Sequence, residues 1–264
     1  MPFLLDELKT IFVEPSTAQR KIIEKNLREI GLQDITWVTS GREALALIAQ
    51  QQVDMIISAM YLEDMTGTDL ILRIRTGNNN RDVPYILISS ETQYRYLEPI
   101  RQAGAIAILS KPYEKEHLEK ALFAALDYFE QDELHLRNID LDDVKVLLVD
   151  DSDISRRHMR HILNNIGLES VVEAEDGAQG LAQLNKQYFD LVITDLYMPV
   201  MDGKEMVEHI RKESEQSSVP ILMVSSESDE SRLASVREAG ISAICDKPFE
   251  PATVKQLIER ILNK

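Results

Sequence analysis

Shifted by 136 positions, the separation of Ala59 and Asp195, this sequence lies on itself without a gap. MIISAMYLEDMTG (55–67) falls on LVITDLYMPVMDG (191–203), IFVEPS (11–16) on LLVDDS (147–152), and Lys111-Pro112 on Lys247-Pro248. Gly31, Gly41 and Pro84 meet Gly167, Gly177 and Pro220, and Ser89-Ser90-Glu91 meets Ser225-Ser226-Glu227. Solenoid units repeat every ~20–50 residues, so a period this long is a whole domain duplicated in tandem. Whatever the fold, half of the 264 residues must complete it, with its own core.

Each copy alternates short apolar runs with amphipathic stretches. In the second copy the runs are VKVLLV (144–149), VVEA (171–174), LVIT (191–194), ILMVS (221–225) and SAIC (242–245); in the first they are LKTIFV, ITWVT, MIIS, YILIS and AIAIL. Runs so short, apolar and rich in Val and Ile read as buried parallel strands. Between them, apolar residues recur at helical spacing, as in Ile154, His158, Ile162 and Ile166, which stop at Gly167. Five strands alternating with five helices predict an α/β domain with a parallel sheet covered on both faces. The last helix of copy one, from near Glu114, carries apolar residues to Phe129 with no Gly or Pro to stop it, and is expected to protrude. The expected boundaries are a first domain at 1–130, an acidic, partly helical linker at 131–143, and a second domain at 144–264.

A net charge of −16 argues against nucleic acid and anionic membrane surfaces as partners. The single cysteine, Cys245, cannot form an internal disulfide, and MPFLLDELK has neither the basic start nor the apolar length of a signal peptide or membrane span. A cytoplasmic location is the default expectation. No P-loop or GxGxxG motif is present.

Ligands of open parallel sheets collect at the carboxyl ends of strands. In copy two those ends carry Asp150-Asp151, Asp195 and Ser225, with Lys247 just after the fifth strand. Clustered carboxylates repel one another unless a cation is bound, and hard oxygen ligands suit Mg²⁺. An ammonium, a hydroxyl and Mg²⁺ together stabilise a transferring phosphoryl group, and a carboxylate can itself be the nucleophile. VLLVDD, ITDLYMPVMDG, MVSSE and DKPF together resemble the receiver domain of two-component response regulators, across all of 144–264. The resemblance implies two flavodoxin-like (βα)5 doubly wound domains with strand order 2-1-3-4-5. It implies Asp195 as phosphoacceptor, with Ser225 and Lys247 contacting the phosphoryl group. It implies Mg²⁺ held by Asp151, Asp195 and the backbone carbonyl of Tyr197, with Asp150 acting through water. A cis Lys247–Pro248 bond is also implied.

The family's aromatic residue three positions before the lysine is Ile244 here, which leaves no ring to flip with the serine. Tyr197 and Glu227 stand where the family controls access of hydrolytic water, and a bulky tyrosine there implies a longer-lived phosphoryl group. Copy one keeps Ser89 and Lys111 but has Glu14, Pro15 and Ala59 in place of Asp150, Asp151 and Asp195. It resembles a degenerate pseudo-receiver, with Pro15 suited to a helix start and Glu63-Asp64 an ordinary acidic loop. Asp151-Ser-Asp153-Ile-Ser155 also fits the start of haloacid-dehalogenase-type phosphatases, but the duplicated frame argues for the receiver. The basic cluster Arg156, Arg157, His158, Arg160 and His161 reads either as a solvated face or as a docking surface beside Asp195.

The expected function is that of a response regulator, not an enzyme with an outside substrate. A histidine kinase or histidine phosphotransfer protein would donate to Asp195. The response would be a change in protein–protein contacts at 229–245 and 251–263, with a downstream protein or a homodimer. Two alternatives are the receiver part of a larger regulator with an output such as a cyclic-di-nucleotide cyclase, and a scaffold that is never phosphorylated.

Overall fold

The computed structural model describes residues 4–129, 133–137, 139–227 and 229–263. The chain divides into two compact units, Met1–Glu130 and Gln131–Lys264. The first runs β1 (Thr10–Val13), α1 (Thr17–Ile30), β2 (Ile35–Val38), α2 (Gly41–Gln50), β3 (Met55–Ala59), α3 (Gly67–Arg75), β4 (Tyr85–Ser89), α4 (Tyr94–Gln102), β5 (Ala107–Ser110) and α5 (Lys115–Asp127). The second runs β6 (Val146–Val149), α6 (Asp153–Asn165), β7 (Val171–Ala174), α7 (Gly177–Leu184), β8 (Leu191–Asp195), α8 (Gly203–Glu213), β9 (Ile221–Ser225), α9 (Glu230–Glu238), β10 (Ala243–Asp246) and α10 (Pro251–Leu262). Both sheets are parallel, ordered β2-β1-β3-β4-β5 and β7-β6-β8-β9-β10. These are two flavodoxin-like domains.

Burial explains the strand composition. Every residue of β1, β3, β4, β6, β8 and β9 is buried, because helices cover both faces. The edge strands β2 and β7 are half-exposed and carry Thr36, Trp37 and Glu173. In unit two, Leu147, Val149, Val192 and Ile221 pack against Met206, Val207 and Ile210 of α8. Helix ends follow local chemistry. The Ser16 and Ser152 hydroxyls accept from the third-residue N–H of α1 and α6, and Gly31 and Gly167 follow those helices with φ of 118° and 89°.

Two expectations need correction. Helix α5 stops at Asp127 and does not protrude. Its apolar spacing serves burial within its own unit, where Leu118, Ala121, Leu122, Ala125, Leu126 and Tyr128 are all buried. Pro15 precedes the N-cap Ser16, so it lies outside the helix and not at its first turn. Of the segment 131–143, residues 131, 132 and 138 lie outside the described residues. Within the described part, Leu134 is buried and donates its N–H to Ile166 O, and His135 and Arg137 bond Glu259 and Asn263.

An arginine at the same repeat position staples each unit. The Arg75 guanidinium, at the end of α3, donates to the carbonyls of Ala103 (3.0 Å), Arg81 (2.7 Å), Val83 (2.9 Å) and Gly104 (3.1 Å). Arg211, 136 positions on, donates to Gly240, Ser217 and Val219 at 2.8–2.9 Å. Arg75 is 4% exposed, and replacing it with an apolar chain strands buried carbonyls. Arg75→Leu is expected to destabilise unit one by about 3 kcal/mol, and the half-buried Arg211→Leu to cost unit two less. Urea denaturation of the full chain, read for each transition, checks this; equal losses would count against burial as the cause.

Candidate functional site

The carboxyl ends of β6, β8, β9 and β10 form one pocket in unit two. Asp150 follows β6, Asp195 ends β8, Ser225 ends β9 and Lys247 follows β10. Asp150 and Asp195 are 4% and 3% exposed, Ser225 1%, and Lys247 4%. The Lys247 ammonium donates to Asp150 Oδ2 and Asp195 Oδ2, both at 3.0 Å. Asp150 also accepts from the Ser152 N–H (2.8 Å) and the Ser155 hydroxyl (2.6 Å), and Asp195 Oδ1 accepts from the Leu196 N–H (2.7 Å). The Ser225 hydroxyl accepts from the Glu227 N–H at 3.0 Å.

Local backbone chemistry brings these groups together. A Cβ on Gly203 would sit 2.0 Å from the Asp195 carbonyl oxygen, so only glycine lets α8 start against the end of β8. Gly67 keeps the same approach to Ala59 in unit one, at 2.7 Å. The Lys247–Pro248 bond is cis, as is Lys111–Pro112. The Lys247 N–H bonds the Ser225 carbonyl at 2.8 Å, tying the two strand ends.

The electrostatics are unbalanced. Burial lifts the Asp195 carboxyl to about 6; the Lys247 ammonium pulls it down and the Asp150 charge pushes it further up. For Lys247, burial opposes the charge, but Asp150 and Asp195 outweigh it and hold its pKa above the ordinary value. Asp151 is exposed, and one oxygen each of Asp150, Asp151 and Asp195 lies within 4.8 Å of the others. Mg²⁺ takes hard oxygen ligands and keeps several of its waters, so carboxylate oxygens gathered this closely can hold it directly or through those waters. The residues fit that ion. Tyr197 lies two residues beyond Asp195, with its exposed ring turned toward Glu227.

Unit one has the frame without this charge set. Glu14 is buried and accepts from the Ser16 N–H at 2.8 Å, as Asp150 does from Ser152. Ala59 offers no anion. The Lys111 ammonium then stands 3.7 Å from Glu14 and 3.5 Å from Gln19, and its side chain is 27% exposed against 1% for Lys247. Asp64 accepts from the N–H groups of Gly41 and Arg42, holding the start of α2. Among the described residues, the only three-carboxylate cluster is the one in unit two.

The basic cluster on α6 is not one solvated face. Arg156 is buried, donating to the Asp150 carbonyl (2.6 Å) and to Glu173 (3.2 Å), and buried His158 stacks on Phe249. Arg160 pairs with Glu173 at 2.9 Å. Three contacts escaped sequence reasoning: Ser155 on Asp150, Arg156 on the Asp150 carbonyl, and Arg232, which reaches Tyr197 and Glu227. The place of Ser155 in the first turn of the helix that follows Asp150 was the available signal for the first.

The response regulator receiver domain family matches residues 11–123 and again 146–259, and the chain belongs to that family. The chemotaxis protein CheY-3 of Vibrio cholerae is 34% identical over 121 residues, 46% of this chain and 93% of its own. CheY of Pseudomonas aeruginosa is 31% identical over 121 residues, 46% of this chain and 98% of its own. Among solved structures, CheY4 of Vibrio cholerae is 38% identical over 45% of this chain and 98% of that one, with a TM-score of 0.43. A two-component system response regulator/GGDEF domain protein aligns with 98% of this chain at 22% identity and a TM-score of 0.41. No helix among the described residues is long and apolar enough to cross a membrane.

A carboxyl group with a raised folded-state pKa favours the fold below its unfolded value near 3.8, and that contribution is lost as pH rises through about 6. In chelator, Asp195→Asn is therefore expected to be more stable than wild type at pH 8, by on the order of 3 kcal/mol, and no more stable at pH 3.5. Mg²⁺ should raise the melting temperature of wild type and move Asp195→Asn much less. Thermal melts at both pH values check this; a destabilised Asp195→Asn at pH 8 would refute the imbalance.

Proposed function

We propose that this chain is a tandem response regulator: a pseudo-receiver at 1–130, a linker at 131–143, and a phosphorylatable receiver at 144–264. The observation that carries this reading is the buried Lys247 held between Asp150 and Asp195, beside a third carboxylate. A histidine kinase or histidine phosphotransfer protein is the donor. An Asp195 carboxylate oxygen forms a bond to phosphorus; the donor's N–P bond breaks, and the imidazole leaves with the electron pair. Mg²⁺ held by Asp151, Asp195 and the Tyr197 carbonyl, with Asp150 through water, would supply charge neutralisation at the phosphoryl oxygens. An indirect role suits Asp150, which already accepts three hydrogen bonds. Lys247 transfers its hydrogen bond from Asp195 to a phosphoryl oxygen, and the Ser225 hydroxyl donates to another.

The response is a change in the surface made by α9, β10 and α10, read by a downstream protein or a second copy. Unit one has Ala59 where the nucleophile stands in unit two and serves as a folded interaction domain. Incubated with Mg²⁺ and acetyl phosphate, wild type is expected to gain the mass of one phosphoryl group and Asp195→Ala none. Equal uptake by both would remove Asp195 as the acceptor, and no uptake by either would favour a scaffold.

A further inference from the structure

Helix α9 is held to unit two differently at its two ends. Of its nine residues only Val236, in the last turn, is buried. Just beyond, Arg211 grips the Gly240 carbonyl at 2.9 Å. At the other end no apolar side chain is buried, and polar contacts do the holding. The Tyr197 hydroxyl donates to Glu227 Oε2, and Arg232 Nη1 bonds both the Tyr197 oxygen (2.8 Å) and Glu227 Oε2 (3.2 Å). Arg232 is on the first turn of α9, Glu227 is on the loop after β9, and Tyr197 is on the loop after β8. The three side chains lash the start of the helix to the rim of the carboxylate pocket.

The same loop is wired to Ser225. The Glu227 N–H donates to Ser225 Oγ at 3.0 Å, and Glu227 Oε1 accepts the Asp229 N–H at 2.8 Å. Asp229 caps α9 by accepting from Ser231 and Arg232. A continuous chain of bonds thus runs from the Ser225 hydroxyl to the first turn of α9. Ile244 supplies no ring that could report on Ser225 instead.

We propose that Tyr197, Glu227 and Arg232 form a latch that holds the start of α9 while Asp195 is unmodified, and that phosphorylation opens it through Ser225. The proposal rests on the reading of Asp195 as phosphoacceptor. When Ser225 turns its hydroxyl toward the phosphoryl group, it withdraws the acceptor of the Glu227 N–H. The loop after β9 shifts, the Glu227 carboxylate leaves Tyr197 and Arg232, and new negative charge in the pocket repels it further. Freed at its first turn, α9 pivots on Val236 and the Arg211 grip, and the partner-facing surface changes. Arg232 is a positioning residue here; it touches no reacting group.

Hydrogen exchange of the α9 amides in the full chain, read with phosphoryl uptake by mass, tests this. In unmodified wild type these amides should exchange slowly, and with Mg²⁺ and acetyl phosphate roughly fivefold faster, the scale of change expected on losing one surface ion pair. Arg232→Ala and Tyr197→Phe, both at exposed positions, should exchange roughly fivefold faster without any phosphodonor and gain little more with it. Wild type that takes up phosphoryl while α9 exchange in both variants equals wild type overturns the latch alone. Wild type that takes up none overturns the reading of Asp195; looser α9 in the variants would then mark a static tether, and the trigger through Ser225 is refuted.

Discussion

A lysine ammonium buried between two carboxylates is the interaction on which unit two is organised. Charge taken out of water must be paired and hydrogen-bonded, and Lys247 reaches its partners only because β6, β8 and β10 end on the same edge of one parallel sheet. The pairing is incomplete by design of the residue set: two buried carboxylates and an exposed third face a single ammonium. Burial lifts the Asp195 carboxyl, the Asp150 charge adds to it, and the surplus of hard oxygens suits a divalent cation.

Unit one shows what the same backbone does without that surplus. Gly67 and Gly203 allow the same close approach, Arg75 and Arg211 staple equivalent turns, and both Lys–Pro bonds are cis. Yet Lys111, with no aspartate at position 59, is turned outward toward Gln19. Fold and site are therefore separable. The strands, glycines and arginines hold the frame, and the carboxylates are an addition that the frame tolerates losing.

The sheet and the convergence of Asp150, Asp151, Asp195, Ser225 and Lys247 were legible in the sequence for a physical reason. Apolar runs of strand length in a βα alternation force a parallel sheet, and a parallel sheet puts all strand ends together. The stop of α5 at Asp127 was not legible, because apolar spacing reads the same whether a helix packs on its own sheet or runs past it. The burial of Arg156 was hidden by its polarity, and the Asp150 carbonyl and Glu173 make that position interior, whereas His158 stood on the apolar stripe of its helix and meets the Phe249 ring. The bonds from Arg232 to Tyr197 and Glu227 depend on how two loops stand side by side, which no local pattern encodes.

The two copies differ at these loops as they differ at the strand end. Tyr61 and Glu91 of unit one occupy the positions of Tyr197 and Glu227, but Arg232 is matched by Tyr96. Tyr61 is 60% exposed, Glu91 accepts from the N–H groups of Thr92 and Gln93, and Arg95 lies over the Tyr96 ring. The tyrosine and the glutamate alone form no bond there, so the cation is what assembles the trio. A surface tether needed only to steady a helix would serve both units equally. Instead, the unit with the aspartate at the end of its third strand has the arginine, and the unit with the alanine lacks it. That pairing is what the proposed coupling to Asp195 requires: the unit without a carboxylate at that strand end is also the unit without the arginine.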